Sequence, residues 1–169
     1  MYGTTLRGGN GYGTVFRLTK GGAETVLYAF QSWSDGQFPY GGVTLDSAGN
    51  LYGTTTQGGY GGSYSGAVYK VAPDGTETLL HSFALGVDGT MPQSDVIIDK
   101  RGNIYGTTFF CKGNGNKGEV FELEPDGTER VSCIPGPITG GLVQHKGMLY
   151  GTATNSKHNI NGSVFALKK

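Results

Sequence analysis

Between residues 42 and 83 apolar and polar positions alternate in four short runs separated by turn-forming residues. Val43-Thr44-Leu45-Asp46 has a β-branched bias; Ser47-Ala48-Gly49-Asn50 supplies a turn, and Leu51 to Thr55 resumes the extended pattern, which predicts a hairpin. Val68-Tyr69-Lys70-Val71 and Thr78-Leu79-Leu80-His81-Ser82-Phe83 flank Pro73-Asp74-Gly75-Thr76, whose Asp-Gly pair is a strong short-turn signal, and predict a second hairpin. The unit reads as a four-stranded meander, with strands A (43–46), B (51–55), C (68–71) and D (78–83). No stretch keeps a helical period long enough to matter.

The same pattern recurs. Met1-Tyr2-Gly3-Thr4-Thr5 returns as Leu51 to Thr55, as Ile104-Tyr105-Gly106-Thr107-Thr108 and as Leu149-Tyr150-Gly151-Thr152-Ala153, so the motif tyrosines are 50, 53 and 45 residues apart. Each copy is followed by a second motif: Gly13-Thr14-Val15-Phe16, Gly66-Ala67-Val68-Tyr69, Gly118-Glu119-Val120-Phe121 and Gly162-Ser163-Val164-Phe165. A repeated four-stranded unit of ~40–50 residues predicts an all-β propeller, because one meander cannot bury both faces and must stack against the next. The expected domain is a single one over residues 1–169, with about four units and incomplete first and last blades. The recurring Tyr and Phe are expected to fill the space between blades.

Composition sharpens this. Gly accounts for 32 of 169 residues, against an ordinary share of ~7%. Most glycines fall at motif and turn positions where tight connections or close strand approach need them. Thirteen Lys+Arg balance thirteen Asp+Glu, so the long-range field that recruits nucleic acid or anionic lipid is missing. Neither partner is expected. No apolar run approaches the ~18 residues of a membrane helix, and residues 1–15 lack a signal-peptide layout. Cys111 and Cys133 show no CxxC spacing and are expected as buried structural thiols.

The motifs L-Y-G-T-T, G-x-V-F, P-x-G-x-x-T, D-G-x-x-P and D-x-x-G-N-L-Y-G-T-T, taken together, resemble the GloVer (Gloeobacter/Verrucomicrobium-type) repeat across essentially the whole chain. The resemblance implies a bacterial β-propeller, extracellular or surface-anchored. It carries no established catalytic residues.

The strands read B-C-D, A-B-C-D, A-B-C-D, A-B-C, fourteen in all. The ring is therefore expected to close through a homodimer, with a four-bladed monomer or a piece of a longer array as alternatives. Candidate chemistry is sought where a unit departs from its own consensus. Strand A begins Gly41-Gly42 and Gly140-Gly141 in two units but Ser94-Asp95 in another, which would aim Asp95 at the axis. Asp35 and Asp88, in Asp35-Gly36-Gln37-Phe38-Pro39 and Asp88-Gly89-Thr90-Met91-Pro92, read as Asx-type turns before a rigid Pro. Glu119 replaces Thr14, Ala67 and Ser163, while the variable B–C loops bring Asn114, Asn116, Lys117, Asn155 and His158. Asp46 to Asn50 and Asp99 to Asn103 lack calcium-loop spacing and read as hairpin turns.

Two functions compete. The first is a binding module whose loop-rich face and central channel take a small polar ligand, a glycan or a protein, with Asn114, Asn116, Lys117 and Asn155 as ligand contacts. The second is a Ca²⁺-dependent lactone or ester hydrolase, by architectural analogy with calcium-dependent propeller lactonases. There Asp95 and Glu119 would be metal ligands or base and His158 a proton carrier.

Overall fold

The computed structural model describes residues 1–31, 33–60, 64–112, 115–154 and 162–169. Their strands form four antiparallel sheets in chain order, and there is no helix among the described residues. Sheet I holds β1 (Tyr2–Thr5), β2 (Thr14–Leu18) and β3 (Glu24–Ala29). Sheet II holds β4 (Thr44–Leu45), β5 (Leu51–Thr55), β6 (Ala67–Val71) and β7 (Glu77–Ser82). Sheet III holds β8 (Thr90–Pro92), β9 (Ile97–Ile98), β10 (Ile104–Phe110), β11 (Lys117–Leu123) and β12 (Glu129–Pro135). Sheet IV holds β13 (Val143–His145), β14 (Met148–Ala153) and β15 (Ser163–Lys168).

The two repeated motifs explain each other. Gly53 pairs with Tyr69 and Gly106 with Phe121 across neighbouring strands. A Cβ at these glycines would lie 2.5 Å from the Tyr69 hydroxyl and collide with Phe121 Cζ, so the aromatic of one motif occupies the space the other's glycine leaves open. The threonine that follows reaches to the next sheet. Thr4, Thr54 and Thr107 donate from Oγ1 to the carbonyls of Gly41, Ser94 and Gly140 at 2.7, 2.8 and 3.0 Å.

Turn residues act as their types predict. Asp46 Oδ1 accepts the N–H groups of Ala48 and Asn50, and Asp99 Oδ1 those of Arg101 and Asn103, so both segments are hairpin turns. The sheets stack face against face through three apolar cores. Val15 and Phe30 meet Leu51, Tyr69 and Val71; Val68 and Phe83 meet Val96, Ile104, Phe121 and Leu123; Tyr105, Val120 and Ile134 meet Ile138, Leu142, Leu149 and Ala153. The array is propeller-like but does not close on itself. The outer faces of sheets I and IV stay open, with Met1 75% and Val164 77% exposed.

Among the described residues fifteen strands stand where fourteen are expected. The additional one, β8, is the Asp-Gly-x-x-Pro segment, which folds back on the far end of β10 and pairs Pro92 with Thr108 and Thr90 with Phe110. In sheet II the matching segment makes only a bridge, Gln37 with Gln57. Backbone groups of a connection laid over a sheet edge must find partners, and here the edge of strand B supplies them.

Candidate functional site

The residues singled out from the sequence go to different places. Asp95 is exposed between β8 and β9, its Oδ1 2.5 Å from where Gly141 of sheet IV would carry a Cβ. Asn116 and Lys117 are exposed at the start of β11. Asn114, Asn155 and His158 lie outside the described residues. Glu119 in β11 is completely buried, its Oε1 accepting the N–H of Gly89 at 2.9 Å. Burial, reinforced by the charge of Glu129, pushes its carboxyl up to about 8.

Asp95 and Glu119 do not share a cation site. Glu119 faces Gly89 and Cys111, Asp95 faces sheet IV, and neither grouping of metal-capable atoms among the described residues contains Asp95. The two residues expected to hold Ca²⁺ thus face different parts of the fold.

The cysteines also differ from expectation. Cys111 and Cys133 form a disulfide with their Cα atoms 5.7 Å apart. Cys133 sits directly across from Glu119 on β12, and Cys111 follows β10 on the other side, so the sheet brings together residues 22 positions apart. Glu119 Oε2 lies 3.4 Å from the Cys111 sulfur, which in the disulfide carries no hydrogen to donate.

Beside this lies a cluster that local sequence reading misses. His81 Nε2 of β7 is 3.0 Å from Asp88 Oδ2 and 3.5 Å from Glu129 Oε1 of β12. Asp88 braces its own turn by accepting the Ala84 N–H at 2.6 Å. Burial alone would lower His81, but its hydrogen bond to Asp88 and the charge of Glu129 raise it above the ordinary histidine value. Burial raises Glu129 in turn. The same framework recurs one interface earlier with Tyr28 in place of the histidine: Asp35 Oδ2 accepts the Tyr28 hydroxyl at 2.7 Å and the Gln31 N–H at 2.8 Å. Glu77 stands near Asp35, and burial followed by that charge lifts it to about 7. Aligning the units at these positions is the signal that finds both clusters.

On the opposite face, between the A–B turns of sheets III and IV, a cleft of about 560 Å³ opens. Arg101, Lys100, Gln144, Asp99, Glu122 and Lys169 line it. Tyr105 donates to Glu122 Oε1 at 2.7 Å, and Lys169 Nζ lies 2.6 Å from Asp99 Oδ2. Burial would raise Asp99, but that ammonium and the N–H groups of Arg101 and Asn103 bring it down to about 2. The cleft thus offers fixed donors and acceptors of both charges.

The chain matches the Gloeobacter/Verrucomicrobia repeat over residues 1–169. No curated protein matches it. Among solved structures, a protein provisionally named a gluconolactonase aligns at TM-score 0.55 and 20% identity, over 96% of this chain and 53% of its own. A luciferin-regenerating enzyme aligns at TM-score 0.41 and 14% identity, over 99% of this chain and 76% of its own. The chain spans about half the length of the first of these, and at such identities the likeness concerns the fold alone.

Proposed function

This chain belongs to the Gloeobacter/Verrucomicrobia repeat family, and we propose that it is a propeller-type binding module for a small polar ligand or glycan. The observation that carries the reading is the cleft between sheets III and IV, where Arg101, Lys100 and Lys169 face Asp99, Glu122 and Gln144 around one opening. Such a mixed lining matches a hydroxyl-rich ligand that needs donors and acceptors together, and a rigid scaffold holds them in place. This puts the ligand on the turn face, opposite the loop-rich face expected to carry Asn116 and Lys117.

The test is a thermal-shift screen of neutral sugars and sugar acids, followed by Arg101→Ala and Gln144→Ala. A ligand that stabilises the parent chain and neither variant supports the cleft; a ligand that stabilises all three equally overturns it. The alternative, a hydrolase, draws on the gluconolactonase-like neighbour and on Asp95 and Glu119, which face Gly141 and Gly89 respectively. Closure by a second copy rests on the open outer faces of sheets I and IV. Light scattering at twice 17.7 kDa supports that closure, and a single 17.7 kDa species overturns it.

A further inference from the structure

We propose that the interface between sheets II and III is a binding site for a divalent transition-metal ion of the zinc class, ligated by His81 Nε2, Asp88 Oδ2 and Glu129 Oε1. One ligand atom from each of the three residues lies within 4.8 Å of the others. The separations of 3.0 and 3.5 Å from the imidazole nitrogen match the edges of a coordination shell whose ligands stand ~2.0–2.2 Å from the ion.

Three further observations converge here. First, Glu129 Oε1 is buried with no hydrogen-bond partner, and Glu119 Oε2, in a fully buried side chain, lies against the disulfide sulfur of Cys111, which has no hydrogen to donate. Second, three acidic side chains, Asp88, Glu119 and Glu129, crowd one interface with His81 and Lys112 as the neighbouring bases. A divalent ion supplies the compensation that buried carboxylates require. Third, the equivalent interface between sheets I and II keeps Asp35 and Glu77 but has Tyr28, Ala67, Gly59 and Ser82 where this one has His81, Glu119, Cys111 and Cys133. Among these departures His81 supplies a ligand nitrogen, and Glu119 adds a buried carboxylate at the same interface.

The supporting contacts suit a metal centre. The Ala84 N–H holds the far oxygen of Asp88, and the His81 ring packs edge-on against Phe83 at 4.8 Å, so two ligands are pre-oriented. His81 and Glu129 keep 19% and 16% of their side chains exposed, which leaves an approach for the ion. A nitrogen with two carboxylates selects zinc, cobalt or manganese over calcium, which prefers an all-oxygen shell. The disulfide keeps both sulfurs out of the ligand set.

Calorimetric titration of Zn²⁺ into the chelator-treated full chain, disulfide intact, tests the site. One equivalent should bind and raise the thermal midpoint, while calcium at the same concentration should not compete. His81→Tyr installs the residue that the preceding interface already accommodates, and should weaken binding at least ~100-fold with the fold retained. Glu129→Gln gives an independent loss of at least ~10-fold. Replacing His145 and His158 together by Ala, or both cysteines by Ala, should leave affinity unchanged. The proposal is overturned if the parent chain takes up no zinc, if His81→Tyr binds as the parent does, or if uptake requires the cysteines or the other two histidines.

Discussion

The interface between sheets I and II and the interface between sheets II and III are built on one frame and differ in chemistry. Both bury a D-strand phenylalanine edge-on against a C-strand aromatic: Phe30 on Tyr69 at 5.1 Å, Phe83 on Phe121 at 5.2 Å. Both close with an aspartate that accepts a backbone N–H four residues earlier. In the first, a tyrosine hydroxyl completes the aspartate; in the second an imidazole does, next to a buried glutamate and a disulfide. Apolar packing carries the repeat, and this leaves the polar layer free to change type without disturbing it.

The comparison can be broken most severely at the shared frame. Phe30 and Phe83 are both 0% exposed, so Phe30→Ala and Phe83→Ala should each cost about 3–5 kcal/mol in denaturant unfolding. Clearly unequal losses would mean that the two interfaces are not equivalent. Next in size is the disulfide, present in the second interface alone among the described residues. Replacing Cys111 and Cys133 by Ala should cost ~2–4 kcal/mol, and a reductant should then lower the stability of the parent chain but not of the variant.

Smaller effects sharpen the polar layer. Glu77 rises from 4.5 to about 7 in the folded chain. Folding therefore tightens its hold on a proton, so its contribution is complete below pH 4.5 and fades as pH climbs to about 7. Glu77→Gln should flatten the stability profile across that window, as read by urea midpoints at successive pH values. The smallest change expected is in the metal-free stability of His81→Tyr, within about 1 kcal/mol of the parent, because Tyr28 already occupies the equivalent place. A larger loss would show that the histidine braces the fold in its own right.

The strands and turns were legible in the sequence because their causes are local. Alternation over Leu51 to Thr55 gives β5 with the predicted bounds, and A, C and D shift by a residue at each end at most. What failed was non-local. The Asp88-Gly89-Thr90-Met91-Pro92 segment reads as a turn, yet its backbone pairs with Thr108 and Phe110 of a strand met later in the chain. The disulfide joins residues separated by 22 positions, and His81 meets Glu129 only because sheets II and III stack. Glu119 was visible as a departure from Ala67 and Thr14. The same comparison carried to Gly59 against Cys111, Ser82 against Cys133 and Tyr28 against His81 would have exposed the whole interface. Asp95 stood out for replacing a glycine, and in the fold its carboxylate fills the space beside Gly141 while Gly41 lets the backbone of Ser94 and Asp95 approach.

The most direct measurement is anomalous diffraction at the zinc edge from crystals soaked at low zinc concentration. The account predicts one peak bounded by His81, Asp88 and Glu129, and none between Tyr28, Asp35 and Glu77. A peak beside Asp95 at the axis, or equal peaks at both interfaces, would contradict it.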